Sequence, residues 1–246
     1  MARILLSNDD GVHAHGLAAL AAALVGAGHT VMVAAPDRER SAQGHTLTLH
    51  KPLRADVIRP GWWSVSGTPA DCVYLALHAL LPEPPELVVS GINNGANVGH
   101  DVFYSGTVAA AMEAALGGVP SIAVSLEHGP GPRRWDVAAP IAVEVVARAL
   151  EERIAPGLLL NVNVPNAPTR GLRVVAQGIR QYDNKVEARV DPRGRAYYWL
   201  GGDKLGEAPA GETDAALLHQ GFATLTPIHA DLTHHPSLEA MASWAR

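Results

Sequence analysis

The stretch that decides the fold lies near the start of the chain: Ile4-Leu5-Leu6-Ser7-Asn8-Asp9-Asp10-Gly11. Its apolar half predicts a buried strand, and its polar half, which ends in glycine, predicts a turn at the carboxyl end of that strand. Two adjacent carboxylates there repel each other and raise each other's pKa unless positive charge lies between them. The stretch therefore predicts either a site for a hard divalent cation or a plain turn, because the same residue types also favour turns.

A strand–helix–strand unit is built around this stretch. Arg3 to Ser7 indicates the first strand, Gly16 to Gly28 an Ala/Leu-rich helix that ends at glycine, and Thr30 to Ala35 a second apolar strand. Such a unit is typical of parallel pairing with a right-handed crossover. Three more strands of this kind follow, at Glu86 to Ser90, Pro120 to Leu126 and Leu158 to Val164. The pattern predicts an α/β fold with a mainly parallel sheet.

The segments between these strands predict three further helices. Thr68-Pro69-Ala70-Asp71 starts the first, with threonine as N-cap and proline at the first helical position, and this helix runs to about Leu81. The second spans about Gly106 to Leu116 and has Ser105 as a candidate cap. The third is the Ala/Val-rich segment from Asp136 to Ile154.

Two shorter strand pairs are predicted outside this parallel pattern. Thr46 to His50 could pair with Val57 to Val65, and Val186 to Val190 predicts a hairpin with Ala196 to Leu200. The second hairpin carries aromatic side chains that its two strands cannot bury alone: Tyr197, Tyr198 and Trp199. Such an arm is consistent both with docking on another subunit and with packing on its own domain, and the sequence leaves both open.

The sequence therefore predicts two regions. Residues 1–170 form a catalytic core, and residues 171–246 form a C-terminal hairpin and oligomerisation region. The other C-terminal elements are expected to return to the core, at Leu172 to Ala176, Thr213 to His219 and Phe222 to Pro227, followed by a peripheral helix after His229.

Composition indicates an ordinary globular protein and excludes several classes. The 246 residues are 48% hydrophobic and 17% charged, and the net charge of -5 provides no basic surface for duplex nucleic acid. The single cysteine, Cys72, cannot form an internal disulfide or a Cys-rich zinc site, and we expect it to be a small buried side chain. The sequence starts in a strand pattern without a signal-like segment, and no apolar run approaches the roughly 20 residues of a membrane span. We therefore expect a cytoplasmic protein.

Polar residues follow three of the predicted parallel strands. Asp9 and Asp10 follow the first strand, Ser41 lies in the loop after the second, and Asn93 follows the third. Ligands of an open parallel sheet bind outside the carboxyl ends of its strands, so these side chains are expected to meet at one rim. Two carboxylates, a hydroxyl and an amide oxygen suit magnesium, manganese or calcium rather than zinc.

The helix that starts at Ser105-Gly106-Thr107 adds a candidate anion site at the same rim. Backbone N–H groups and the helix dipole favour negative charge there, and Gly106 would let a phosphate approach the backbone. Asn97, in the preceding loop, could donate a further hydrogen bond. An ordinary helix cap is the alternative. A cation beside an anion site favours phosphate ester chemistry, most simply hydrolysis.

Several well-known motifs are missing from the sequence. The first strand–helix turn lacks G-x-G-x-x-G, which disfavours a dinucleotide oxidoreductase. The sequence has no G-x-x-x-x-G-K-[ST] loop and no G-x-S-x-G elbow, which disfavours a P-loop NTPase and an α/β-hydrolase.

Five groups of residues together carry a resemblance to a known family. They are Asn8-Asp9-Asp10-Gly11; Ala35-Pro36-Asp37 with Arg40-Ser41-Ala42 and Gly44-His45; Gly67-Thr68-Pro69-Ala70-Asp71-Cys72; Ser90-Gly91-Ile92-Asn93 with Gly95, Asn97 and Gly99; and Ser105-Gly106-Thr107. In this order they resemble the SurE family of metal-dependent nucleotidases. The resemblance is dense from Ile4 to Ser125 and continues more thinly to about Thr233, through Asn161-Val162-Asn163 and Thr213-Asp214.

The resemblance implies a Rossmann-like three-layer sandwich whose C-terminal hairpin arm is exchanged between subunits of a homodimer or homotetramer. It implies hydrolysis of nucleoside 5'- and 3'-monophosphates, with short polyphosphate accepted by some members. It also implies a divalent cation, for which we expect Mg2+ or Mn2+ and one ion per subunit, held by Asp9, Asp10, Ser41 and Asn93. Residues 210–214, Ala-Gly-Glu-Thr-Asp, depart from the Glu-Gly-Thr-Asp of many relatives.

A catalytic hypothesis assigns roles to these residues. Asp9 or Asp10 would orient or deprotonate the attacking water, and the phosphate oxygens would be held by Asn97, Ser105, Gly106 and Thr107. His45 and His100 are candidates to protonate the leaving ribose oxygen, although loop structure explains either histidine as well. Trp62, Trp63 and Tyr104 could stack a base or simply pack.

Two alternatives stay open from the sequence. One is a nucleotide- or metal-binding regulatory protein without turnover. The other is an enzyme that acts on a different phosphoester, such as polyphosphate or a sugar phosphate. Phosphate release from a panel of these compounds discriminates between them.

Overall fold

The structure is a computed structural model, and it describes residues 1–155, 157–179, 185–201 and 211–245. Ala210, part of the departure noted above, lies outside the described residues.

The strands are β1 Arg3–Ser7, β2 Thr30–Pro36, β3 Ala55–Arg59, β4 Trp62–Val65, β5 Leu87–Asn94, β6 Ser121–Leu126, β7 Leu158–Val164, β8 Leu172–Val174, β9 Val186–Val190, β10 Ala196–Leu200 and β11 Ala223–His229. The α-helices are α1 His15–Gly26, α2 Pro69–Leu75, α3 Gly106–Leu116, α4 Trp135–Glu152, α5 Asp214–His219 and α6 His235–Met241. A π-helical turn, Ala76–Leu80, extends α2, and a 3-10 turn, Gly99–Phe103, precedes α3.

Most strands belong to one large mixed sheet. Its nine strands lie in the order β3-β4-β2-β1-β5-β6-β7-β11-β8, and every pair from β4 to β7 is parallel. The edges include antiparallel pairs, β3 with β4 and β11 with β7. A separate antiparallel hairpin is formed by β9 and β10. These features confirm the predicted Rossmann-like α/β fold with a mainly parallel sheet and a C-terminal hairpin.

Helices cover both faces of the sheet and make three layers. In β1, Ile4 and Leu6 pack in the cluster that includes α1 and α4, whereas Leu5 packs in the cluster that includes α2 and α3. Because side chains alternate along a strand, a strand covered on both faces must be apolar throughout, which explains the run at residues 4–6. Cys72 is a buried member of the second cluster, and burial raises the pKa of its thiol well above its ordinary value.

The predicted strand at Thr46 to His50 is wrong, because this segment bonds to the start of α2 instead of to a strand. The N–H and the hydroxyl of Thr48 donate to the Asp71 carboxylate at 2.8 and 2.6 Å, and the Thr68 hydroxyl donates to the Thr46 carbonyl at 2.6 Å. Asp71 and Thr68 also form the capping box of α2. The region from Val57 to Val65 turns at Gly61, where φ is 75°, and pairs with itself as β3 and β4.

Strand β5 is longer than the sequence predicts. It continues to Asn94, through a register shift against β6 between Ser90 and Asn93. A Cβ atom on Gly91 would lie 2.3 Å from the Val124 carbonyl oxygen, so the strand passes β6 at a distance that only glycine allows. The extension places Asn93 on a strand of the sheet rather than in a free loop.

The C-terminal elements divide between sheet and surface. Strands β8 and β11 join the large sheet, and every residue of β9 and β10 is exposed. Tyr198 and Trp199 on this hairpin are 64% and 60% exposed, and α6 buries no residue. In the part of the chain that is described, no helix has both the length and the apolar character that crossing a membrane needs.

Candidate metal and phosphate site

The sheet topology creates a crevice at the carboxyl end of β1. Strand β1 lies between β2 and β5. The chain continues from β1 to β2 and β4 on one side of it, and only later adds β5, β6 and β7 on the other side. In such sheets the loops diverge at this switch point, and ligands bind in the gap between them. Asp9 and Asp10 follow β1 directly, and Asn93 lies near the end of β5.

The buried Asp9 is held against the N-terminus of α3. The Thr107 hydroxyl and the Thr107 backbone N–H both donate to its carboxylate. Gly106 leaves the space for this contact, since a Cβ atom there would lie 2.8 Å from the Asp9 Cβ atom and 3.1 Å from Oδ2. The helix dipole and these donors favour the ionised carboxylate.

The Asp10 carboxylate lies at the edge of the crevice and is partly exposed. Its Oδ2 accepts the backbone N–H of Asn94 at 3.1 Å. Burial and the nearby Asp9 raise the pKa of Asp10 to about 6. Burial also raises the pKa of Asp9, against the opposing hydrogen bonds from Thr107. The pair therefore carries negative charge that the protein only partly compensates.

Both other predicted ligands are adjacent in sequence to residues that bond this pair. The backbone N–H of Arg40, just before Ser41, donates to the Asp9 carbonyl at 2.7 Å, and Asn94 just after Asn93 bonds Asp10. The exposed Ser41 hydroxyl donates to Glu39 at 2.8 Å. The Asn93 side-chain N–H donates to the Gly95 carbonyl at 2.8 Å, which fixes the amide and leaves Oδ1 as its ligating atom.

This arrangement fits a hard divalent cation. The candidate donors are all oxygen atoms, and the raised pKa of both aspartates shows that positive charge at the site would be stabilising. Among the described residues, no three His, Cys, Asp or Glu side chains cluster as a metal site. The predicted ligand set is of a different composition, with two carboxylates, one hydroxyl and one amide oxygen.

Three of the predicted phosphate residues form the start of α3, whereas Asn97 is bonded to β6 and β7, and most of the four have structural roles as well. The Ser105 hydroxyl accepts the Val108 N–H at 3.1 Å and caps α3, while its own O–H stays available as a donor. Gly106 occupies the first helical position, where backbone N–H groups have no partner within the helix. The Asn97 side chain is buried and donates to Ser125 at 2.8 Å.

Two asparagines that had no role in the sequence-based hypothesis hold Asn97 in place. Asn163 accepts the Asn97 N–H at 2.7 Å, and the side-chain N–H groups of Asn161 and Asn163 donate to the Asn97 carbonyl at 2.8 and 3.1 Å. Both lie on β7 and are buried. The signal in the sequence is a pair of amides, two residues apart, inside an apolar strand.

Neither candidate histidine is fixed by the geometry as a proton donor. His45 Nε2 bonds to Glu113 at 2.6 Å, seven residues into α3 from Gly106 and so about 10 Å along the helix. His100 is exposed in the 3-10 turn.

The aromatic candidates for base stacking differ in their surroundings. Trp62 is covered by the Arg59 guanidinium at 3.6 Å, and Trp63 packs against the cluster beneath α2. Both therefore have packing roles on the sheet edge. Tyr104 is 69% exposed directly before Ser105 and is the only one of the three that faces solvent beside the helix start.

The fold and the site together define a class: a doubly wound α/β protein with an acidic, oxygen-donor site beside a helix N-terminus at the switch point. Comparison with known proteins agrees with this class. The family model described as "Survival protein SurE" matches residues 4–184. A crystal structure of the SurE protein from Aquifex aeolicus superposes with a TM-score of 0.89, at 38% identity over 99% of this chain and 100% of that one.

Curated relatives extend the match over nearly the full chain. A protein of Syntrophotalea carbinolica named 5'-nucleotidase SurE is 51% identical over 243 residues, which cover 98% of this chain and 97% of the relative. A protein of Synechococcus elongatus with the same name is 48% identical, with 99% and 100% coverage. The chain belongs to the SurE family, as its motifs predict.

The unbalanced charge of the aspartate pair predicts an unusual effect on stability. In chelator at pH 7.5, Asp10→Asn should raise the melting temperature by about 2–4 °C, because it removes a charge whose burial and repulsion by Asp9 together cost about 1 kcal/mol after allowance for partial exposure. The folded pKa of Asp10 lies above its ordinary value, so the gain is present above about pH 6 and fades as the pH falls towards 4. Calorimetry across this range measures it.

The control for this prediction is Asp136→Asn. Arg134 lowers the pKa of Asp136, so this exposed carboxylate is favourable and its removal should not raise the melting temperature. With manganese, the wild type should instead melt at a higher temperature than Asp10→Asn, since only the wild type keeps both carboxylates of the Asp9–Asp10 pair. An unchanged or lower melting temperature for Asp10→Asn in chelator would show that the ionised Asp10 carboxylate does not destabilise the fold.

Proposed function

We propose that this protein is a divalent-metal-dependent 5'-nucleotidase, a phosphoric monoester hydrolase that acts on nucleoside 5'-monophosphates and also on 3'-monophosphates. One observation carries the proposal: two adjacent aspartates with raised pKa follow β1 at the switch point, and the first of them, Asp9, lies against the N-terminus of α3. The names of the curated relatives support the activity. Activity on short polyphosphate is a secondary expectation from the family.

We propose a single Mg2+ or Mn2+ ion per subunit, with Asp9, Asp10, Ser41 and Asn93 as its ligands. The support is the oxygen character of these groups and the need of the two carboxylates for positive charge. Such an ion supplies polarisation of the phosphate ester and acidification of water.

The residues of the chain supply the remaining functions. A carboxylate oxygen of Asp9 or Asp10 would orient the attacking water and accept its proton. The Ser105 O–H and the Gly106 N–H would hold phosphate oxygens, helped by the dipole of α3. Thr107 would act through Asp9, since its hydroxyl already donates to that carboxylate. The Asn97 side chain donates one N–H to Ser125, and its second N–H would donate to a phosphate oxygen.

We propose that the β9–β10 hairpin is an arm that joins subunits in a homodimer or homotetramer. Its apolar and aromatic residues are exposed on both strands, which is unfavourable unless another surface covers them. The cytoplasmic location expected from the sequence stays a prediction.

The activity is tested by phosphate release from nucleoside monophosphates, polyphosphate and sugar phosphates, with chelator, Mg2+ or Mn2+. We expect metal-dependent release from nucleoside monophosphates, and a loss of at least about 1000-fold in Asp9→Asn, because the variant loses a ligand and a candidate base. Asp136→Asn, which removes an exposed carboxylate far along the chain, should keep full activity.

Three outcomes would contradict the proposal in different ways. Release that resists chelator would overturn the metal site, and full activity of Asp9→Asn would overturn the assignment of that residue. Nucleotide binding without release under any metal would favour the regulatory protein instead.

Assembly through the arm is tested by light scattering on Tyr198→Lys. A charge at this 64% exposed position should dissociate the assembly, since it would be buried at the subunit contact. Val25→Lys on α1, where the valine is 57% exposed, is the matched control and should leave the mass unchanged. Equal masses for both variants and the wild type would exclude Tyr198 from the interface.

A further inference from the structure

The chain enters and leaves the segment 179–212, which contains the hairpin, at one place. Before it run residues Ala176–Gly178 and after it Thr213–Asp214, which lie side by side; we call these five residues the neck. The Asp214 N–H donates to the Ala176 carbonyl at 3.0 Å. A Cβ atom on Gly178 would lie 2.8 Å from the Thr213 hydroxyl oxygen, so only glycine allows this approach.

The neck is fastened to the loop of the candidate site through a buried carboxylate. Asp214 Oδ1 accepts the N–H groups of Gly178 and Ala215, each at 2.7 Å, while Oδ2 accepts the N–H of Gly99 at 2.9 Å. The Gln177 side chain donates to the Gly99 carbonyl at 2.6 Å. Both backbone groups of Gly99 are therefore bound by the neck.

Gly99 lies in the loop between β5 and α3, which we call the site loop because it carries two of the predicted phosphate residues. Asn97 is two residues before it, and the 3-10 turn from Gly99 to Phe103 leads to Ser105 at the start of α3. Helix α5, which begins at Asp214, packs on the same loop through an apolar cluster of Val98, Ala215 and Leu218.

We propose that Asp214 is a positioning residue for phosphate binding, which acts through Gly99 on the loop that carries Asn97 and leads to Ser105. This inference rests on the proposed function of that loop. It makes the two neck residues that bond Gly99, Gln177 and Asp214, part of the scaffold of the site, although the arm itself belongs to the C-terminal region.

A single-atom change separates this role from general packing. In Asp214→Asn the amide oxygen can still accept the N–H groups of Gly178 and Ala215, so the neck stays closed. The amide nitrogen would then face the N–H of Gly99, and two donors cannot bond. The variant therefore releases Gly99 while it conserves the volume and the other hydrogen bonds.

The test measures binding of inorganic phosphate to the full-length, Mn2+-loaded protein by titration calorimetry, together with kcat and KM for the best nucleoside monophosphate. We expect Asp214→Asn to raise the Kd of phosphate and the KM about tenfold or more. The Mn2+ concentration for half-maximal activation should stay within about twofold of wild type, because Asp9, Asp10 and Ser41 follow other strands and Asn93 is held on β5 itself.

One control variant and one double-mutant cycle complete the test. Thr213→Ala removes the cap of α5, where the hydroxyl accepts the Ala216 N–H, and should lower the melting temperature without a change in phosphate binding. Combining Asp214→Asn with Asn97→Ala gives a double-mutant cycle. If Asp214 acts through Asn97, its effect on the Kd should shrink to less than about twofold in the Asn97→Ala background.

The outcomes are distinguishable. Wild-type phosphate affinity in Asp214→Asn would overturn the positioning role while leaving the proposed function intact, and effects that add fully in the cycle would overturn the route through Asn97. Absence of turnover in the wild type would instead contradict the proposed function, and calorimetry would still test the role of Asp214. If Asp214→Asn does not fold, Gln177→Leu at the exposed side of the neck should raise the phosphate Kd about threefold, and no change there would overturn the inference.

Discussion

The structure depends on the cost of placing Asp9 and Asp10 side by side at the end of a buried strand. Burial and mutual repulsion raise the pKa of both carboxylates. The N-terminus of α3 offsets part of this cost by stabilising Asp9, because Thr107 donates to the Asp9 carboxylate and Gly106 permits the close approach. A divalent cation would offset the remaining electrostatic cost, which links the stability of the site to its chemistry.

The surrounding fold fixes each loop of the site by buried hydrogen bonds. The loop after β2 is bound to Asp9 at Arg40 and to the α2 cap at Thr48. The loop after β5 is bound by the asparagines of β7 and by Asp214. The rigid sheet therefore supplies positions, and the loops supply chemistry.

Local signals made much of this predictable. The apolar run of β1, the cap at Ser105 and the β9–β10 hairpin follow from sequence patterns that local physics decides. Thr46 to His50 was misassigned because its backbone groups bond Thr68 and Asp71, which are distant in sequence. The roles of Asn161 and Asp214 depend on contacts across 64 and 115 residues, which no local pattern reveals.

The central claim, that the aspartate pair holds a divalent cation, is tested most directly by crystallography of the Mn2+-loaded protein. An anomalous difference map recorded near the manganese absorption edge locates the ion without reference to activity. The account predicts one peak per subunit in contact with Asp9, Asp10, Ser41 and Asn93. A peak elsewhere, or none at saturating manganese, would contradict it.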